Sequence, residues 1–136
     1  MTLTPVLDHI GIAVESLESS LKVYRTLGIE LEDVEEVADQ KVRVAFLPIG
    51  DTRIELLEPT DDTSPIARHL ERRGAGLHHI CLRVTDIRSA MSRLADEGYR
   101  VLSDEPLPGA DGCLVCFVHP KSAGGVLIEL SQPAHR

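Results

Sequence analysis

Hydrophobic and polar residues change their period several times along the chain. From Val6 to Val14 they alternate, as a half-buried strand requires. Ser16 then offers an N-cap, and Leu17, Ser20, Leu21, Tyr24 and Leu27 recur at helical spacing until Gly28 ends the run. Strand-like segments follow near Glu30–Val37, Val42–Pro48 and Arg53–Glu58, with Gly50-Asp51 as the turn between the last two. Ser64–Arg73 reads as a short helix with Pro65 at its first position and Gly74 behind it. The cycle then restarts. Leu77–Val84 is a strand, Asp86 a cap, and Ile87, Ala90, Met91, Leu94 and Ala95 form a buried helical stripe that stops at Gly98. Strands are expected near Arg100–Leu102, Cys113–Val118 and Val126–Ser131.

The restart is a repeat. A shift of 70 aligns Leu7, His9, Ile10, Val14, Ser19 and Gly28 with Leu77, His79, Ile80, Val84, Ser89 and Gly98. A shift of 74 aligns Ile54-Glu55-Leu56 and Pro59 with Ile128-Glu129-Leu130 and Pro133. The expected fold is therefore α+β: two tandem βαβββ modules forming a mixed eight-stranded concave sheet, helices on one face and the other face open. The 136 residues make one domain (1–136), composed of a module at 6–59, a linker helix at about 64–74 and a module at 77–132.

Composition narrows the function. The 43% hydrophobic and 26% charged residues are ordinary for a globular chain, and no apolar run approaches a membrane span. Met1–Pro5 lacks the basic and apolar regions of a secretory signal, which points to the cytoplasm. The net charge of −8 argues against a nucleic-acid groove or a basic membrane-binding surface. The three cysteines, Cys81, Cys113 and Cys116, suit reduced thiols. Cys113 and Cys116 form a C-x-x-C, but inside a strand-like run, where a structural role outweighs redox or zinc chemistry.

Four polar residues stand on the wrong face. Ile10, Ile12 and Val14 point towards the helix that follows, so His9 points away; His79 does the same in the second module. Glu55 and Glu129 interrupt the apolar closing strands and also face away from the helices. A carboxylate inside an apolar strand costs several kcal/mol unless it is paired or ligated. Two imidazoles and two carboxylates at matching repeat positions point to a shared divalent-metal site, with neither module holding a full ligand set alone. Such N/O donors suit Co, Ni, Mn, Fe or Zn.

This arrangement resembles the vicinal oxygen chelate superfamily (glyoxalase, bleomycin resistance, dioxygenase), and within it the methylmalonyl-CoA epimerase family. The likeness spans Leu7–Gln132. It rests on Leu7-Asp8-His9-Ile10-Gly11-Ile12-Ala13, Ile54-Glu55-Leu56-Leu57-Glu58-Pro59, Asp62-Thr63-Ser64-Pro65-Ile66-Ala67, Gly76-Leu77-His78-His79-Ile80, and His119-Pro120-Lys121 through Gly125-Val126-Leu127-Ile128-Glu129-Leu130. It implies a divalent metal held by His9, His79 and Glu129, with Glu55 where members carry Gln or Glu. One departure stands out. Some members carry a proton-transferring glutamate on the third strand of the first module, where this chain has Val44. The carboxylate has moved within the cup, and Glu55 is assigned both metal contact and proton transfer.

The implied reaction is metal-dependent epimerisation of (2R)- and (2S)-methylmalonyl-CoA through a metal-stabilised enolate, a step of propionate metabolism. Glu55 is the first candidate for one acid/base group flanking C2, and Glu129 the second. The implied partners are the acyl-CoA substrate and a second copy of the chain in a homodimer. Two alternatives stay open: a glyoxalase-type lyase acting on a glutathione hemithioacetal, and a non-catalytic binding module of the same fold. His119 and Lys121 precede the last strand and are either a rim turn or contacts to the substrate carboxylate or CoA arm. The glycine loops at Gly109, Gly112, Gly124 and Gly125 are candidate lids. His78 is expected to pack, His69 and His135 to face solvent, and the acidic Glu30–Glu36 stretch to be a solvated strand face.

Overall fold

The computed structural model describes Thr4–Ala134, so His135 lies outside the described residues. The elements are β1 (Val6–Ala13), α1 (Leu17–Thr26), β2 (Asp33–Val37), β3 (Val42–Ile49), β4 (Thr52–Pro59), α2 (Pro65–Arg73), β5 (Gly76–Arg83), α3 (Ile87–Asp96), β6 (Leu107–Pro108), β7 (Leu114–Val118) and β8 (Leu127–Gln132). They divide into two compact units. One is His9–His78; the other runs from His79 onward and includes the residues before His9.

In the His9–His78 unit the strands lie in the order β2-β3-β4-β1. β1 runs parallel to β4, with Gly11 opposite Glu55, while β3 pairs antiparallel with β4 and β2. The β3–β4 hairpin turns through Gly50, whose φ of 56° suits a residue without a side chain. α1 starts where Ser16 accepts a hydrogen bond from the Ser19 N–H at 3.2 Å, a cap worth roughly 1 kcal/mol. Glu58 accepts a second one from the Leu17 N–H at 3.0 Å. Leu17 and Leu21 then bury against Val14, Ala45, Leu47 and Leu56. Every residue of β2 is exposed, as the acidic stretch led one to expect, and its charges guard an outer strand of this unit.

α2 packs on the other face, not beside α1. Its Ile66 and Leu70 bury against Ala13, Val42, Val44 and Leu57. The expectation of helices on one face fails here for a simple reason. The linker helix carries its own apolar stripe, and β3 and β4 offer apolar side chains on the face that α1 leaves open. The fully buried Ser64 caps α2 by accepting from the Ile66 N–H at 3.1 Å.

The second unit repeats the plan as β5-β8-β7-β6. β5 runs parallel to β8, with Cys81 opposite Glu129, and β7 pairs antiparallel with β8. Asp86 caps α3 through the Ser89 N–H at 3.0 Å, and Gln132 accepts from the Ile87 N–H at 2.8 Å. Ile87, Ala90 and Met91 pack on Val84, Cys116 and Leu130. The strand expected at Arg100–Leu102 shrinks to a single bridge from Val101 to Val118. The pairing role passes to the two-residue β6. Pro106 and Pro108 lack amide hydrogens and keep this outer strand short. Among the described residues no helix is long and apolar enough to cross a membrane.

Candidate functional site

Each unit holds one histidine–glutamate pair. In the His9–His78 unit, parallel pairing of β1 with β4 places His9 and Glu55 on the face opposite α1. His9 Nδ1 lies 3.5 Å from Glu55 Oε2, and both residues are about 8% exposed. Gly11 sits opposite Glu55 and adds no side chain, so the carboxylate has room on that flank. On its other flank Glu55 faces Phe46. Arg53 stands two residues before Glu55 on the same face of β4. Its Nε donates to Glu55 Oε2 at 2.8 Å, and its guanidinium lies 5.8 Å from the centre of the Phe46 ring.

In the other unit His79 Nε2 lies 3.8 Å from Glu129 Oε1, and both side chains are largely buried. Cys81 and Phe117 are the cross-strand neighbours of Glu129. Cys116, packed under α3, has its thiol pushed up to about 11 by burial and by the charge of Glu129. Cys113 and Cys116 are free thiols.

The donor sets fit a divalent cation. Both His–Glu separations exceed the 2.7–3.2 Å of a good N–H···O bond. They approach the edge of roughly 3.0–3.4 Å between adjacent ligands each about 2.1 Å from one ion. Buried imidazole nitrogen and carboxylate oxygen are also the donors that borderline divalent metals favour.

The remaining sequence candidates lie elsewhere in their units. His119 Nδ1 accepts from the Lys121 N–H at 3.0 Å and so caps its own turn, while Lys121 is exposed. Desolvation, Arg100 and Lys121 lower the proton affinity of His119. His69 is not solvent-exposed as expected. It is half-buried in edge-to-face contact with His78, the ring centres 4.8 Å apart. Burial and His69 hold His78 down to about 4. Val44 is 6% exposed beneath α2, on the face that carries Glu55. Arg53 escaped the sequence reading. The available signal was its place two residues before Glu55, which puts both side chains on one face.

The chain is similar to known proteins over most of its length. Residues 8–117 match the model of the glyoxalase/bleomycin resistance protein/dioxygenase superfamily. The ethylmalonyl-CoA/methylmalonyl-CoA epimerase of Cereibacter sphaeroides is 47% identical over 93% of this chain and 96% of its own. The Streptomyces coelicolor methylmalonyl-CoA epimerase, solved in complex with 2-nitronate-propionyl-CoA, superposes with a TM-score of 0.84 at 39% identity over 98% of this chain and 96% of that one. A methylmalonyl-CoA epimerase solved with methylmalonyl-CoA and NH4+ matches equally well, with a TM-score of 0.84 at 39% identity over 98% and 96%. The chain belongs to the glyoxalase/bleomycin resistance protein/dioxygenase superfamily and, within it, to the methylmalonyl-CoA epimerase family. Its two βαβββ modules, with eight strands in mixed pairing, are the vicinal oxygen chelate fold.

Proposed function

We propose that this chain interconverts the (2R) and (2S) forms of methylmalonyl-CoA, with His9, His79, Glu129 and Glu55 serving one divalent cation. One observation carries the reading: a buried His–Glu pair recurs at the same register of both modules, in a chain related over most of its length to enzymes named for this substrate. A divalent ion held by these residues would act as a Lewis acid on the thioester carbonyl, stabilising negative charge that develops on its oxygen.

The chain's own residues then handle the proton. The C2 hydrogen lies between a thioester and a carboxylate, which makes it acidic enough for a carboxylate base. Glu55 takes it from one face. A second group must return a proton to the other face, and Glu129 is the candidate. Arg53 donates to Glu55 Oε2, which fixes the orientation of the carboxylate. The name of the Cereibacter relative supports the ethyl homologue as a second substrate. Family likeness and free thiols support a cytoplasmic homodimer, which sedimentation would test.

The decisive experiment is deuterium incorporation at C2 of methylmalonyl-CoA in D2O with Co²⁺ supplied. Exchange well above the enzyme-free rate is expected; exchange at background overturns the assignment.

A further inference from the structure

One face of α2 is basic in a chain whose net charge is −8. Arg68, His69 and Arg72 follow Pro65 at helical spacing and fall on one stripe, while Ile66 and Leu70 turn towards the sheet. With Arg73 and His78 this stripe lines a shallow cavity of about 290 Å³ that no acidic residue lines. Glu71, the acid of the helix, lies off the stripe. The 580 Å³ cavity beside α3 differs, since it mixes Arg88 and Arg100 with Asp104 and Glu105.

Arginines in a last helical turn also suit the negative end of the helix dipole. That accounts for Arg72 and Arg73, but not for Arg68 a turn earlier or for His78, which β5 contributes from outside the helix. Guanidinium groups spaced four residues apart present several N–H donors to one point, a pattern matched to phosphate oxygens. The place is also apt. Ile66 and Leu70 seat α2 on the face of β3 and β4 that carries Glu55, so the basic stripe rides on the same side of this unit as the His9–Glu55 pair.

We propose that the α2 cavity binds a phosphate of the substrate's nucleotide tail, Arg68 and Arg72 supplying the main contacts and His69 and His78 its wall. The ligand class is a nucleoside phosphomonoester dianion, and its source as CoA rests on the thioester reading above.

The test is calorimetric titration of adenosine 3′,5′-bisphosphate into the wild-type protein, Arg68→Ala/Arg72→Ala, and the charge control Arg88→Ala/Arg93→Ala on α3. The α2 variant should bind at least about tenfold more weakly, and the α3 variant like wild type. For methylmalonyl-CoA the α2 variant should raise KM by about tenfold with kcat held within about twofold. Equal binding by the α2 variant and wild type overturns the proposal. So does equal loss in both variants, which indicates net charge alone, and so does inorganic phosphate binding as tightly as the bisphosphate. If the wild type turns over no acyl-CoA yet binding still depends on Arg68 and Arg72, the cavity stands and the epimerase reading falls. If turnover is normal and binding ignores α2, the reverse holds.

Discussion

The two His–Glu pairs occupy equivalent places and keep different company. Glu55 has Gly11 on one side, Phe46 on the other, and the Arg53 guanidinium on its Oε2 at 2.8 Å. Glu129 has Cys81 and Phe117 as its flanks, and Leu127 stands two residues before it where the first module has Arg53. The repeat thus keeps a His–Glu pair in each module and lets its neighbours diverge. A buried carboxylate is costly without a cation. Glu55 draws one from its own strand. In the proposed site this difference assigns proton transfer to Glu55 and metal holding to Glu129.

The comparison breaks first at Glu55. In Glu55→Gln, C2 exchange should fall by about 10²–10⁴-fold while metal content, read by plasma emission, stays near wild type. Exchange at near wild-type rate with metal bound removes Glu55 from the base role. In Glu129→Ala the bound metal itself should drop, by about tenfold or more in affinity, and further than in Glu55→Ala. Equal losses in the two variants would erase the proposed division of labour.

Arg53→Leu makes the first pair resemble the second. Its kcat should fall roughly tenfold, with Arg53→Lys recovering part of the loss, because a charge-assisted hydrogen bond to Glu55 is at stake. A shift confined to Tm, with kcat unchanged, would make Arg53 purely structural. The helix starts offer a gentler contrast. Glu58 caps α1 and also bonds Arg43 at 3.0 Å, whereas Gln132 caps α3 as a neutral amide. Glu58→Ala should therefore cost about 1–2 kcal/mol in urea unfolding, and Gln132→Ala nearer 1 kcal/mol or less. The smallest effect concerns thiols. At pH 8 a disulfide reagent should label half-buried Cys113 well before Cys116, whose thiol is held near 11. Rapid labelling of Cys116 in the folded protein would contradict its packing under α3.

Much of this was readable along the chain because the signals are local. Caps at Ser16 and Asp86, stops at Gly28 and Gly98, and the alternation that turns His9 and His79 away from the helices follow from short-range stereochemistry. The failures share a different cause. The side that α2 takes, the loss of the Arg100–Leu102 strand to one bridge, and the burial of His69 against His78 depend on residues far apart in sequence competing for the same surface.

The sequence by itself determined the repeat, seven of the eight strands and the four residue types of the candidate site, since period-2 alternation fixes which face a side chain takes. Only tertiary structure decided which groups meet. Parallel pairing of β1 with β4 and of β5 with β8 gives each histidine the glutamate of its own module, and the same register sets Gly11 beside one carboxylate and Cys81 beside the other. That register is set by the apolar faces packing under α1 and α3, a long-range balance that no window of neighbouring residues contains.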